Sequence, residues 1–451
     1  MEFNEKIDQW KQLFKTKREE ADQFYYSYVF EEIINRFLKK SKNLRRYRFL
    51  ISLLGFSPQP VILFICAIKP EKVLFIHSEE TESYLDVIQQ WTGIKLAQVV
   101  KEQVNSSDPT GVYKAIKGFI DSRNPKEVLL DITGGKKAMV GGAAMAGNLL
   151  GIDTGYVDYE RYLDDLRQPE PGSEYPNILK NPLYVLGDID LEKAKEAFSH
   201  YDFRRCLEIL EELDQRVEDI WGIRKLKALA EIYQAWDAFN FSKASTLLAS
   251  FMNKCENDVR FINLGQLRKN ADVLSILSCP EHSEYRILMC LNYFFGANRC
   301  AERARYDIAV FLMYRTLEMV LSAGLKEVGI EASDPSYPGW LTVDRYNEKL
   351  QKVFGKDHYE KNLPHKVGLM DSAVILSIKD DSLVEDKNLK ELKGIIELRN
   401  TSHFTHGSRV LNEEDFNKIR RLSRKVLEKY LSLKRKPSVR EFEQSFSFPK
   451  I

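Results

Sequence analysis

The stretch Leu129-Leu130-Asp131-Ile132-Thr133-Gly134-Gly135-Lys136-Lys137-Ala138-Met139 decides how the first part of this 451-residue chain folds. It reads as a buried strand that stops at Thr133, turns through two glycines and enters a helix beginning near Lys136. Working outward, residues 49–54, 72–76, 95–100 and 155–159 read as further strands. Helical patterns lie between them at about 81–91, 110–122 and 136–150. Strands joined by helices of about ten residues or more imply a parallel sheet covered on both faces, a Rossmann-like fold. Gly141, Gly142, Ala143, Ala144, Ala146 and Gly147 would let the last of these helices lie close to the sheet. Ser57 is placed to cap the helix after the first strand, with Pro58 in its first turn.

The rest of the chain is different in kind. Residues 1–46 carry a helical stripe (Trp10, Leu13, Phe14, Phe24, Tyr25, Tyr28, Val29, Ile33, Ile34) and read as an N-terminal extension. Residues 47–187 form the α/β domain, ending in a proline-containing stretch at 160–186 that reads as a loop. After Asp188 nothing resembles a strand, so the fold class is α/β followed by all-α. A helical connector spans 188–300 and an all-α domain 301–451. The segment starting Phe198-Ser-His-Tyr-Asp-Phe203 recurs loosely as Trp236-Asp-Ala-Phe-Asn-Phe241, a hint of stacked helical hairpins. Helices are expected at 308–328, 388–400 and 413–433, the last capped by Asn412, with a basic, peripheral tail at Lys434-Arg-Lys-Pro437.

Composition narrows the function. Hydrophobic content of 44% with 29% charged residues describes a globular protein with real cores, and a net charge of +1 provides no global field for nucleic acid. The six cysteines lack metal-type spacing and read as free thiols of a cytoplasmic protein. No signal pattern opens the chain, and the apolar run 61–68 is too short to span a bilayer, so no membrane association is expected. The seven histidines are scattered and no metal site is expected.

Two clusters carry chemistry. The glycine–lysine turn is neither a Walker loop nor a dinucleotide fingerprint. Two readings stand: tight strand-to-helix packing with two solvated lysines, or an anion site built from helix N–H groups, Thr133 and the lysines. The other turns on that sheet edge, including Phe56-Ser57-Pro58-Gln59, offer hydrogen-bonding groups suited to a nucleotide. The second cluster is Glu397-Leu-Arg399-Asn400-Thr-Ser-His403-Phe-Thr-His406-Gly407. An arginine that stays charged and a histidine that moves protons are what metal-independent RNA cleavage needs. Read otherwise, Arg399 complements a helix C-terminus and His406 caps a loop. His403 competes with His406 for the proton-transfer role.

Leu130–Met139, Tyr156-Val-Asp-Tyr159 and Leu54-Gly-Phe-Ser-Pro58 resemble the CARF domain of the ancillary ribonucleases of type III CRISPR systems. Arg399-Asn400 with His406-Gly407 resembles the Arg-x4-6-His motif of their HEPN domain, and Tyr314-Arg-Thr-Leu-Glu318 is similar as well. The order extension, CARF, connector, HEPN is that of the family. The resemblance implies a homodimer activated by cyclic tetraadenylate or cyclic hexaadenylate as allosteric activator. Phe56, Ser57, Gln59, Thr133, Gly134, Gly135, Lys136 and Lys137 would hold the ring. Arg399, Asn400 and His406 would cut single-stranded RNA without metal, leaving 2′,3′-cyclic phosphate and 5′-hydroxyl ends. No stable association with the interference complex is expected. Thr133-Gly-Gly-Lys-Lys137 departs from the Thr-x-Gly-Thr-Lys form of some members, which bears on ring contacts and on any ring-cleaving activity. The competing reading is a non-catalytic, nucleotide-sensing regulatory or interaction protein.

Overall fold

A computed structural model of the chain describes residues 2–215, 217, 221–255, 264–379, 383–403 and 407–451. They cluster into two compact units, Met1–Asp188 and Ile189–Ile451.

The first unit opens with α1 (Phe3–Thr16), α2 (Arg18–Phe24), a π-helical turn at Tyr25–Val29 and α3 (Phe30–Lys40). Strand and helix then alternate: β1 (Phe49–Leu53), α4 (Gln59–Ile68), β2 (Lys72–His77), α5 (Tyr84–Thr92), β3 (Val99–Gln103), α6 (Pro109–Ile120), β4 (Val128–Asp131), α7 (Lys137–Leu150) and β5 (Asp153–Tyr159). A short hairpin, β6 (Tyr162–Leu163) and β7 (Gln168–Pro169), precedes β8 (Glu174–Leu179) and α8 (Pro182–Leu186). The sheet order is β3-β2-β1-β4-β5-β8. The first five strands are parallel and β8 is antiparallel to β5.

Both faces of the sheet are covered, which is why the central strands are mostly apolar. On one face Val29, Phe30, Ile33 and Phe37 of the N-terminal helices pack with Val61, Phe64, Ile65 and Ile68 of α4. On the other, Val112 and Ile116 of α6 and Met139, Ala143 and Ala146 of α7 pack on Ile51, Leu53, Leu74 and Leu130. The small residues of α7 serve close approach: a Cβ at Gly147 would meet Thr154 Oγ1 at 2.5 Å, and one at Gly142 would press on Pro109 at the start of α6.

Three local expectations are corrected. The stretch read as a loop at 160–186 contains β8, whose Pro176 is tolerated because β8 is an edge strand. The third strand is displaced to Val99–Gln103, because Leu96–Gln98 forms a 3-10 turn closed by Gln98 accepting from Lys95 N–H. Ser57 does not cap α4: Pro58 occupies the N-cap and Pro60 the first turn.

The second unit is helical throughout its described residues. Its helices are α9 (Asp188–Ser199), α10 (Phe203–Asp214), α11 (Trp221–Asp237), α12 (Phe241–Cys255), α13 (Leu264–Leu277), α14 (Tyr285–Glu302), α15 (Tyr306–Glu327), α16 (Val343–Phe354), α17 (Leu369–Ile378), α18 (Asp386–Thr401), α19 (Glu413–Leu433) and α20 (Val439–Phe446). Helix α15 is long and apolar enough to cross a membrane by length and composition. Here those residues are core: Val310, Met313, Leu317, Val320 and Leu321 are buried among α14, α17 and α19. The faint sequence repeat marks a shared turn. Tyr201 and Phe239 both sit in the left-handed region at φ +60°, each followed by a residue whose N–H reaches back to close the preceding helix (Asp202 to Ala197 O, 2.8 Å; Asn240 to Ala235 O, 2.9 Å). The α14–α15 turn repeats it, with Ala304 at φ +54° and Arg305 N–H bonded to Cys300 O at 2.9 Å.

The basic segment Lys434–Pro437 is partly or fully exposed, and the chain beyond it returns to the core. Helix α20, capped by Ser438, carries Phe446 and Phe448 into the core. The Phe448 ring lies 4.4 Å from Tyr233 and 5.3 Å from Trp236, with the Arg299 guanidinium 4.2 Å from its centre.

Candidate functional site

In the first unit, the chain reverses direction across the sheet between β1 and β4, and the loops leaving those two strands meet there. Such a switch point is where open α/β sheets bind ligands. The two loops touch backbone to backbone: a Cβ on Gly55 would lie 2.8 Å from Gly135 N, and one on Gly134 would overlap the Leu53 carbonyl oxygen. Gly135 turns the chain at φ +83°. Both glycines of the turn are therefore required by the fold itself.

Under the turn lies Asp131, fully buried at the end of β4. Its carboxylate accepts from Ser52 Oγ at 2.5 Å, Thr133 N at 2.9 Å and Thr133 Oγ1 at 2.6 Å. Thr133 Oγ1 in turn accepts from Val157 N–H at 2.9 Å, which ties the turn to β5. Burial pushes the Asp131 carboxyl above its ordinary value, against these stabilising hydrogen bonds. Sequence reasoning missed Ser52 and Asp131. Their signal was a polar residue in each of two neighbouring apolar strands, which burial obliges to pair.

The candidate ligand residues divide into groups. Ser57, Gln59 and Thr133 line one cavity of about 310 Å³, and Gln59 Nε2 donates to Tyr26 of the N-terminal helices at 2.7 Å. Lys136 and Lys137 are exposed where α7 begins, and Phe56 is 65% exposed in its loop. None of these three lines that cavity. The Lys136 ammonium also helps hold Glu80 below its usual value, after the hydrogen bonds from Ser78 and the Glu80 backbone. The first turn of α7 has a lysine at its N-cap and no side-chain cap, a terminus suited to an anion.

In the second unit, Arg399 and Asn400 stand in the last turn of α18. Arg399 Nη1 donates to Asn400 Oδ1 at 3.0 Å, and the guanidinium lies 5.1 Å from the centre of the Tyr314 ring on α15. Beside it Arg315 pairs with Glu318 at 2.6 Å. After α18 the chain folds back on itself: His403 N–H donates to Arg409 O at 3.3 Å, Arg409 N–H to Thr401 O at 2.9 Å and Gly407 N–H to Ser402 O at 3.1 Å. These bonds tie residues 401–403 to 407–409. His406 lies outside the described residues; His403 is described and exposed. Arg409 is fixed by Asp415, 2.7 Å away and buried in the first turn of α19. Between α18 and α19 runs a cleft of about 690 Å³ lined by Thr401, Arg409, Lys418, Arg421 and Lys425 and by the acidic Glu391 and Glu397. Neither Tyr314 as a support for Arg399 nor this cleft was read from the sequence as part of the site.

Comparison with known proteins places these features. Residues 281–430 match the family model of the Csm6 HEPN domain and residues 186–274 that of the Csm6 6H domain, together just over half of the chain. The CRISPR system endoribonuclease Csm6 of Thermus thermophilus is 27% identical over 394 residues, covering 83% of this chain and 84% of that protein. Among solved structures, Enterococcus italicus Csm6 bound to cyclic hexa-2′-fluoro-hexa-dAMP aligns with a TM-score of 0.44 at 12% identity, over 89% of this chain and 98% of that one. Can2 of Sulfobacillus thermosulfidooxidans in complex with cyclic tetra-adenylate aligns with a TM-score of 0.24 at 15% identity, over 47% of this chain and 52% of that one. The chain, an α/β unit followed by matches to both helical domains, belongs to the Csm6 family of CRISPR-associated endoribonucleases.

Proposed function

We propose that this chain is a metal-independent endoribonuclease for single-stranded RNA, switched on by a cyclic oligoadenylate. Its parts are the extension 1–46, the sensor 47–187, the connector 188–300 and the nuclease 301–451. The observation that carries the reading is Arg399, held against Tyr314 and bonded to Asn400 at the helix end where residues 401–403 pair with 407–409. In the proposed reaction the 2′-oxygen attacks the neighbouring phosphorus and the 5′-oxygen leaves. His406 takes the 2′-proton or returns one to the leaving oxygen, and Arg399 stabilises the charge that builds on the phosphorane. The products carry a 2′,3′-cyclic phosphate and a 5′-hydroxyl. A homodimer would supply a second Arg399, Asn400 and His406, and a two-fold ring suits a two-fold protein. Cyclic tetraadenylate is the first choice of activator and cyclic hexaadenylate the second. The ring lies at the β1–β4 switch point with its phosphates toward the α7 N-terminus, Lys136 and Lys137. Control from a separate site requires two states that bind the ring unequally. The protein acts in the cytoplasm.

The test is cleavage of a fluorophore–quencher RNA in EDTA with each ring, beside His406→Ala and Arg399→Ala. Ring-dependent cutting in EDTA that both substitutions abolish, with ring binding retained, supports the proposal. Ring binding without cutting by the unaltered chain would leave a nucleotide-sensing regulator. The double substitution Lys136→Ala, Lys137→Ala raises the ring concentration needed for half activation; an unchanged value removes that turn from the ring site.

A further inference from the structure

The N-terminal helices, which the function above leaves without a task, form one wall of the cavity that Ser57, Gln59 and Thr133 line. Trp10, Phe14 and Arg18 stand on that wall, and Tyr156 and Tyr159 of β5 on the other. The Arg18 guanidinium stacks on Phe14 at 3.5 Å and Trp10 lies 4.9 Å from the same ring. The wall is coupled to the ligand loop through Tyr26, bonded to Gln59, and Tyr26 belongs to the π-helical turn, a device enriched at functional sites.

We propose that this cleft is a base pocket, in which one adenine of the activating ring inserts between the N-terminal helices and β5. The inference rests on the sensor reading above and adds the extension to the sensor. Size fits one base with part of its sugar, since about 310 Å³ is at the small end of ligand cavities. Charge sorts the ligand's parts. Asp22, Asp158 and Glu174 also line the cleft, and Arg18 already faces Asp22 at 3.6 Å, so phosphates are repelled from it and stay at the lysines. Asp158 is kept below the ordinary carboxylate range by Tyr159 N–H and by Asn177 and Tyr175. It presents an acceptor suited to an exocyclic amine. Flat aromatic walls with amide and carboxylate groups recognise a base by stacking and by its edge.

The experiment is calorimetric titration of the full chain with cyclic tetra- and hexaadenylate, repeated with a ring carrying one 2-aminopurine, whose fluorescence reports stacking. Phe14→Ala and Tyr159→Ala each weaken the ring by roughly 5- to 150-fold, the range for loss of one stacked base, and restore 2-aminopurine emission. Arg18→Ala, an exposed change that leaves the core intact, weakens it by roughly 2- to 5-fold. Wild-type binding that all three variants match, with emission still quenched or never quenched, overturns the base pocket and leaves the sensor standing. A wild-type chain that binds neither ring overturns both.

Discussion

Replacing Gly134 by alanine adds one methyl group at the crossing of the two switch-point loops. The new Cβ would overlap the Leu53 carbonyl oxygen and lie 3.0 Å from Gly55 N and 3.3 Å from Leu53 C. Every obstacle is backbone of the β1 terminus, so no side chain can swing away. Overpacking costs about 1–3 kcal/mol, and immovable neighbours put this case at about 3 kcal/mol. The control is Gly141→Ala, the same chemical change two turns of chain later on α7. Its Cβ would meet nothing within 4 Å, and a helical Gly-to-Ala change gains about 1 kcal/mol. The two substitutions should therefore differ in sign and by about 4 kcal/mol. Urea unfolding of the full chain, followed by circular dichroism and fitted with separate transitions for the two units, measures this. With a slope of about 2 kcal/mol/M the midpoints of the first unit should stand about 2 M apart. A Gly134→Ala protein as stable as wild type would refute the claim that fold geometry, ahead of any ligand, demands this glycine.

Asp131 holds its proton more tightly in the folded first unit than in the unfolded chain, because burial raises its folded value above the ordinary 3.8. Its stabilisation is fully present below about pH 3.8 and is lost as pH rises through the raised folded value. Asp131→Asn keeps an oxygen for Thr133 and should flatten that dependence of the urea midpoint, and an unaltered slope would contradict it. Asp131→Ala strands the Ser52 and Thr133 donors and should cost about 1–3 kcal/mol. Phe448→Ala should destabilise the second unit by about 3–5 kcal/mol, read as a shift of its own transition with the first unit's unmoved. Tyr314→Phe should leave ring-activated RNA cutting within about twofold, while Tyr314→Ala lowers kcat/KM by roughly 2- to 30-fold through loss of the face against Arg399. Equal losses in a correctly folded pair would show that stacking does not position the arginine.

What could be read from sequence was governed by burial. The central strands at 49–53, 72–77 and 128–131 are mostly apolar because helices cover both faces, and that run is visible without any partner. Helix α19 shows its amphipathic period and the Asn412 cap, so both of its ends were legible. Edge elements were not. The strand β8 carries Pro176 and Asn177, tolerable only because one side of it is unpaired, and the sequence there looks like a loop. In β3 the half-exposed Val99-Val-Lys-Glu-Gln103 offers a weaker signal than the apolar residues just before it. Ser57 had the right chemistry for a cap, but two prolines fixed the helix start one residue later. Arg399 and Asn400 were legible as chemistry. Their support was not, because Tyr314 comes from a helix far upstream and sequence spacing carries no information about that meeting.

The docking of Phe448 has a consequence for the order in which the protein matures during synthesis. The rings at 198, 203, 233 and 236 are made first, yet the one that completes their cluster, Phe448, is translated far downstream of them. Domains generally fold as they emerge, N-terminal first, so the sheet unit can be finished while the helical unit still waits for its closing aromatic. A growing chain would thus complete its sheet unit before its helical unit, and a truncated product lacking residues 438–448 would carry the first without a stable second.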